Sequence, residues 1–385
     1  MKKWLVGLSL MLIGIMLFSP SRSFASGFAL PEQGSAAMGM ASAFVAQADD
    51  ASAVWYNPAA ITRLDGTQVA VGATFIYPSF KHETVFGTTE APEHKLFYTI
   101  MLYGTQKLSD RVSLGLGINN PFGLSTTWSP ASSTAGVATL SSVKTINTNP
   151  NIAFKISDDL SIAVGADYMY LDATLSSLAL SLTGDGDGWG ANASILYRAT
   201  DKLNLGLSYR SKIKVDIDGT AFGMLPAETS ITLPDEYKLG ISYRTSDTVT
   251  LNAEADLTNW STYNQIEVPS LGLVDPKEWM DTWCYRLGGQ YQLSDAWKLR
   301  LGLFYDQNPI RDEYFETRVP IADRYGFTLG TGHSLGKMTV DVAYMYLQSK
   351  DRTINDSIED LASQVLNGTY KSSAHIANFT VGYKF

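Results

Sequence analysis

The stretch LNLGLSYRSKIKVDID, Leu203 to Asp218, decides the fold. Leu203, Leu205, Leu207, Tyr209, Ile213, Val215 and Ile217 fall on one side of an extended chain. Asn204, Gly206, Ser208, Arg210, Lys212 and Lys214 fall on the other. A period of two marks a strand with one apolar and one polar face. WKLRLGLFYD repeats it, with Trp297, Leu299, Leu301, Leu303 and Tyr305 against Lys298, Arg300 and Gly302. MTVDVAYMY sets Val340, Val342, Tyr344 and Tyr346 against Asp341 and Ala343.

Working outward, these runs are joined by short turns that recur about every 45 residues, the scale of internal periodicity. LSDR begins at Leu108, ISDD at Ile156, ATDK at Ala199, TSDT at Thr245, LSDA at Leu293 and HSLGK at His333. The connections between the hairpins are long, as at Lys81–His94, Phe122–Leu140, Thr262–Trp279 and Lys350–Ser373. The reading is 14 strands with six short turns and seven long loops. An even strand number with short connections on one side is the pattern of outer-membrane barrels, whose mean hydropathy cancels between faces. A soluble propeller repeats at similar spacing, but its strands bury both faces and its connections do not segregate by length. The expected fold is a 14-stranded antiparallel outer-membrane β-barrel, over residues 67–385.

The N-terminus fits that compartment. Met1-Lys2-Lys3, an apolar run from Trp4 to Phe18, and Ser23 with Ala25 form a secretory leader over residues 1–25. The run is short for a spanning anchor. Cleavage before Ser26 would remove Lys2, Lys3 and Arg22, taking the formal charge from −9 to −12. So acidic a chain argues against nucleic acid as a partner. One cysteine, Cys284, excludes an internal disulfide, and four separated histidines form no ligand pair at metal-site spacing. No cofactor or nucleotide motif is present.

Ser26 to Gly66 lacks alternation and is rich in Ala and Gly, with Asp49 and Asp50 placed to cap a turn at ASAVWY. The first strand begins near Thr67, so the segment is expected to fold back as a hatch over residues 26–66. A barrel of this size is wider than side chains alone fill. The last run, HIANFTVGYKF, turns Phe379, Val381, Tyr383 and Phe385 outward, and Asn378, Thr380, Gly382 and Lys384 inward.

SGFALPEQGSAAMGMASAFVAQADDASAVWYNPAAITRL resembles the N-terminal hatch of the FadL-type family of long-chain fatty acid and hydrocarbon transporters. The resemblance continues, in order, through NNPFGLSTTW, LPDEYKLGISYR, ADLTNWSTY and VPIADRYGFTLG. It implies passive uptake of hydrophobic small molecules across the outer membrane by a protein that is not an enzyme. It also implies a pocket reached by Phe28, and a hatch whose Asn57, Pro58 and Ala59 touch an inward kink in the third strand. Ligands would leave sideways there, into outer-membrane lipid. The terminal Phe385 resembles the signal read by the barrel assembly machinery.

Physical chemistry supports a lateral exit, because a lipophile gains about 0.8 kcal/mol per buried methylene and release into water is uphill. The third strand reads RVSLGLGINNPFGL, and Pro121 cannot donate to the ladder. With Asn120, Phe122 and Gly123 it forms the expected gate; the plain alternative is strand-to-loop punctuation. The basic positions of fatty-acid carriers correspond here to Asp172 and to Met280 before Asp281, neither of them basic. Asp172 would repel an anion, and Lys277 lies close enough in sequence to substitute. Arg286 and Arg324 are expected to face the lumen and offer bidentate carboxylate recognition, unless Glu254, Asp256, Asp341, Asp49 or Asp50 pairs with them.

A neutral hydrocarbon is therefore the competing ligand. Other readings are a general polar porin, which needs an open lumen, and a lipase using Ser373 and His375. GDGDGWG at Gly184–Gly190 reads as an extracellular turn or the start of a calcium loop lacking its glutamate. ALSLTGDG and AFGMLPAE are apolar loop segments suited to capturing lipophiles or to packing on each other.

Overall fold

The computed structural model describes residues 27–355, 357–358 and 364–385. The expected leader, residues 1–25, lies outside them. Fourteen strands form one closed antiparallel barrel. In chain order β1 is Thr67–Thr84, β2 Phe97–Lys107, and β3 runs in two pieces, Val112–Asn119 and Gly123–Thr127. Next come β4 (Leu140–Lys155), β5 (Leu160–Ser176) and β6 (Ser181–Thr200). β7 is split into Leu203–Arg210 and Ile213–Ala221, and β8 into Thr229–Leu233 and Glu236–Arg244. The remaining strands are β9 (Val249–Thr258), β10 (Thr282–Gln292), β11 (Trp297–Asp306), β12 (Arg324–Leu335), β13 (Met338–Ser349) and β14 (Gly368–Lys384). Closure comes from β1 against β14, from Gln68↔Lys384 to Thr84↔Gly368.

Alternation places the faces as expected over most of the wall. Leu239, Leu251, Leu287, Leu301 and Leu303 are exposed on the outside, whereas Asn252, Glu254, Asp256, Arg286 and Arg300 are buried within. Closure pairs the backbone donors of the wall between neighbouring strands, as a lipid environment demands, except where β2 parts from upper β3.

β7 departs from the expectation. The ladder breaks at Ser211 and Lys212, and the facing inverts across the break. Below it Arg210 is buried and Leu207 exposed; above it Ile213, Val215 and Ile217 are buried, and Lys214 and Asp216 are exposed. The single apolar face of Leu203 to Ile217 is thus two faces, one toward lipid and one toward the lumen. GDGDGWG is likewise no turn. It lies inside β6, paired with β5 through Asp172↔Asp185 and Tyr170↔Asp187. The β5–β6 connection is only residues 177–180, so the seventh long loop does not exist. Among the described residues no three His, Cys, Asp or Glu side chains are grouped to hold a metal ion.

The lower lumen is filled by residues 27–66. Two short helices, α1 (Ser35–Met38) and α2 (Ala53–Tyr56), and a 3₁₀ helix over Pro58–Arg63 carry a core of Met40, Phe44, Val54, Trp55, Tyr56 and Ile61. Wall side chains hold this plug: Glu254 Oε2 accepts from the amides of Phe44 and Val45 at 2.8 Å each. Arg210 donates to Trp55 O at 2.8 Å, lies 3.8 Å over the Trp55 ring and pairs with the buried Asp167. The wall offers glycine where the plug backbone passes closest: a Cβ on Gly302 would stand 2.4 Å from Ala41 N.

Candidate functional site

Gly27 has φ +55°, and a Cβ there would lie 2.7 Å from both Trp260 and Trp279. Glycine is the residue that adopts this backbone without strain and also fits the gap. Phe28 then sits in a box of rings. Its centroid is 4.8 Å from Trp260, 5.8 Å from Trp279, and 6.0 Å from both Phe122 and Tyr263, mostly edge to face. Edge-to-face contacts suit the ring quadrupoles and add stability beyond burial. Trp260 and Tyr263 both stand in ADLTNWSTY, but nothing local in the sequence marked them as one box with Trp279.

Residues 28–30 act as a strand partner for the break in β3. Leu30 N donates to Pro121 O at 2.8 Å, and Gly123 N donates to Phe28 O at 2.9 Å, so Ala29 lies opposite Phe122. Gln33 Nε2 adds a bond to Asn120 O at 2.8 Å. On the other side Thr145 Oγ1 accepts from Phe122 N (3.1 Å) and donates to Phe122 O (2.7 Å). The lower piece of β3 pairs with β2 from Leu102↔Ile118 to Lys107↔Ser113. The upper piece pairs with β4 alone, and among the described residues Phe97–Met101 of β2 have no ladder partner on that side. One side-chain bond, Ile100 N to Asn120 Oδ1 at 3.1 Å, spans the separation. A proline in the ladder is part of the reason, since Pro121 has no N–H to offer β2.

Two cavities meet at Phe28. The smaller, about 80 Å³, is apolar, walled by Leu124, Val143, Leu171, Ile217, Ile231 and Val319. The larger, about 770 Å³, touches inward groups such as Glu32, Arg286, Asp306 and Arg324. Its lining also includes Leu96–Thr99, Gly123–Thr127 and the outer-face residues Lys144 and Asp172, so it runs from the lumen to the separation between β2 and upper β3. Asp172 does not repel a lumenal anion, as the sequence suggested. It shares the outer face with its cross-strand neighbour Lys144, and Leu171 takes the buried position.

Arg286, Arg324, Lys277 and Arg318 are each engaged by acids. Arg286 Nε donates to Asp256 at 2.8 Å and its guanidinium also to Ala41 O at 2.9 Å, so it anchors the plug. Arg324 pairs with Asp306 at 2.6 Å, an acid absent from the expected partners. Lys277 is fully buried and pairs with Asp275 (2.6 Å) and Glu316 (2.8 Å), while Arg318 also contacts Glu316 beside the small cavity. Burial would raise the Glu316 carboxyl, but Arg318 and Lys277 hold it down at about 2. Met280 is half-buried, its amide donating to Pro309 O at 2.9 Å.

Asn57, Pro58 and Ala59 stand apart from the break. Asn57 Nδ2 donates to Val45 O (2.7 Å) and Ile195 O (3.1 Å), its Oδ1 caps the 3₁₀ helix at Ala59 N, and Ala59 N also donates to Ser194 Oγ. The structure thus brings Asn120, Pro121, Phe122 and Gly123 to Phe28, and ties Asn57 to β6. Ser373 and His375 face outward, with His375 Nδ1 2.7 Å from Tyr344 Oη, a placement that gives no lumenal nucleophile and base. Phe385 is exposed and packs edge to face on Tyr383 at 4.9 Å.

The sequence profile of the family described as outer membrane protein transport protein (OMPP1/FadL/TodX) matches residues 16–385. A putative outer membrane protein of Neisseria meningitidis is 26% identical, over 96% of this chain and 96% of its own. The long-chain fatty acid transport protein of Escherichia coli K12 is 24% identical, over 92% of this chain and 95% of its own. Among solved structures, a Pseudomonas aeruginosa FadL homologue superposes with a TM-score of 0.84 at 20% identity, covering 94% of this chain and 100% of that one. A toluene transporter of Ralstonia pickettii gives 0.70 at 15% identity, covering 91% and 98%.

Proposed function

The chain belongs to the outer membrane protein transport family (OMPP1/FadL/TodX), and from that premise we propose that it carries long-chain fatty acids and similar lipophiles passively across the outer membrane. The observation that carries this reading is the large cavity, which runs from Phe28 to the separation between β2 and upper β3. A lipophile enters from the loops into the small apolar cavity and meets the Phe28 ring, which borders both spaces. Displacing that ring opens the way to the large cavity. Exit between β2 and upper β3 then keeps the tail out of water, and each methylene so protected saves about 0.8 kcal/mol. No energy source is required beyond consumption of the ligand inside the cell, and no catalytic step is assigned.

A neutral hydrocarbon is the second reading. It is favoured by the pairing of Arg286, Arg324, Arg318 and Lys277 with acids, which matches each of these four buried or half-buried cations with an anion. Binding of oleate and of toluene to the protein in lipid nanodiscs tests both. The expected result is saturable oleate binding that weakens at least tenfold in Phe28→Ala. Toluene binding without oleate binding would select the neutral ligand, and absence of both would refute the uptake reading. High ion conductance in planar bilayers would instead support a polar porin.

A further inference from the structure

We propose that Glu32 selects which head groups enter the large cavity: a long-chain acid is held there with one proton shared between its carboxyl and that of Glu32, beside Arg286 and Arg324. The inference rests on the uptake reading and deepens it. Glu32 is 6% exposed and lies in the cavity wall. Its main chain is pinned, with Glu32 O accepting from Thr74 Oγ1 at 2.9 Å and Asn378 Nδ2 at 3.2 Å. The neighbouring Pro31 O accepts from Tyr56 Oη at 2.7 Å and Gln33 O from Tyr103 Oη at 2.9 Å. The carboxyl group meets its own backbone amide and, among the described residues, has no side-chain hydrogen bond or ion pair. A buried acid in that condition is costly when ionised, and a ligand able to share a proton with it removes the cost.

The charges facing it are Arg286 on β10, Arg324 on β12 and Asp306 on β11, with the Tyr56 hydroxyl on α2 also near. Arg286 is matched by Asp256, and Arg324 by Asp306. Glu32 is therefore the odd charge of the cluster. An entering carboxylate would be a second, and two carboxylates sharing one site do not both ionise. One proton is taken from water as the ligand docks and returns to water as it leaves. Burial pushes the Glu32 carboxyl up, with Arg286 and Arg324 opposing, so it takes a proton more readily than a solvated glutamate. An uncharged hydrocarbon makes no such demand.

The test uses the full protein in nanodiscs, dodecane-1-sulfonate as a head group that stays ionised, and toluene as a neutral control. Wild type should bind the sulfonate at least tenfold more tightly at pH 5.5 than at pH 8. Glu32→Gln should bind it equally at both pH values, near the wild-type pH 5.5 affinity, and Glu32→Met should also lose the pH dependence. Toluene affinity should be the same in all three at both pH values, which also reports that the variants are folded. A pH dependence surviving in the variants, or a wild type without one, overturns the assignment while leaving the uptake reading intact. If neither the sulfonate nor toluene binds to any form, both fall together.

Discussion

Locking residues 28–30 to the break in β3 should stop transport. Ala29 and Phe122 form a non-hydrogen-bonded antiparallel pair, because the flanking bonds run from Leu30 N to Pro121 O and from Gly123 N to Phe28 O. Such pairs have Cα atoms about 4.5 Å apart, inside the range a disulfide spans. Ala29→Cys with Phe122→Cys, in a Cys284→Ala background, should therefore cross-link on oxidation. Undocking the native segment loses two backbone hydrogen bonds, about 1 kcal/mol each. It also exposes Phe28, about 3 kcal/mol, and breaks ring contacts of about 1 kcal/mol in total. The sum, about 6 kcal/mol, leaves roughly one molecule in 10⁴ open without ligand. A disulfide removes even that fraction. The assay is uptake of radiolabelled oleate into proteoliposomes, comparing oxidised and reduced forms of the same protein, because Phe122→Cys also removes a ring from the box. Oxidation should abolish uptake and reductant should restore it. Fully cross-linked protein transporting at the reduced rate would refute the displacement of this segment as the gating step.

Gly27→Ala should loosen the same segment by about 2–4 kcal/mol, from backbone strain and from overpacking against Trp260 and Trp279, read as a red shift of tryptophan emission. Arg210→Met leaves Asp167 buried without its cation and should destabilise the barrel by about 3–5 kcal/mol, seen as a lower temperature for the heat-induced gel shift. Asp50 is raised to about 6 by burial first and by the neighbouring Asp49 second. Its folded carboxyl thus holds the proton to higher pH than in the unfolded chain. The associated stability is full below about 3.8 and is lost as pH rises through about 6, a loss of no more than about 3 kcal/mol. Asp50→Asn should flatten that dependence in denaturation curves taken from pH 4 to pH 8; an unchanged slope would contradict it.

Period two is a property of neighbouring residues, so the sequence by itself determined the barrel, its 14 strands, the short turns and the faces of most wall positions. The absence of alternation before Thr67 likewise marked residues 27–66 as something other than wall, and Pro121 marked the β3 break through its missing donor. Partners distant along the chain were decided only by the tertiary structure. Ile213, Val215 and Ile217 read as lipid-facing, because parity survives across Ser211 and Lys212 while the rotation of the strand does not. Asp172 read as lumenal until its register against Lys144 placed it outside. Arg286 read as a ligand-binding group unless an acid such as Asp256 paired with it; the fold chose Asp256 and added Ala41 O, so that Arg286 anchors the plug. Phe28 was legible, but the box of Trp260, Tyr263 and Trp279 around it was not, since it joins residues more than two hundred positions away in sequence. Local chemistry fixes which way a side chain points within its strand; closure of the barrel around the plug fixes what it meets there.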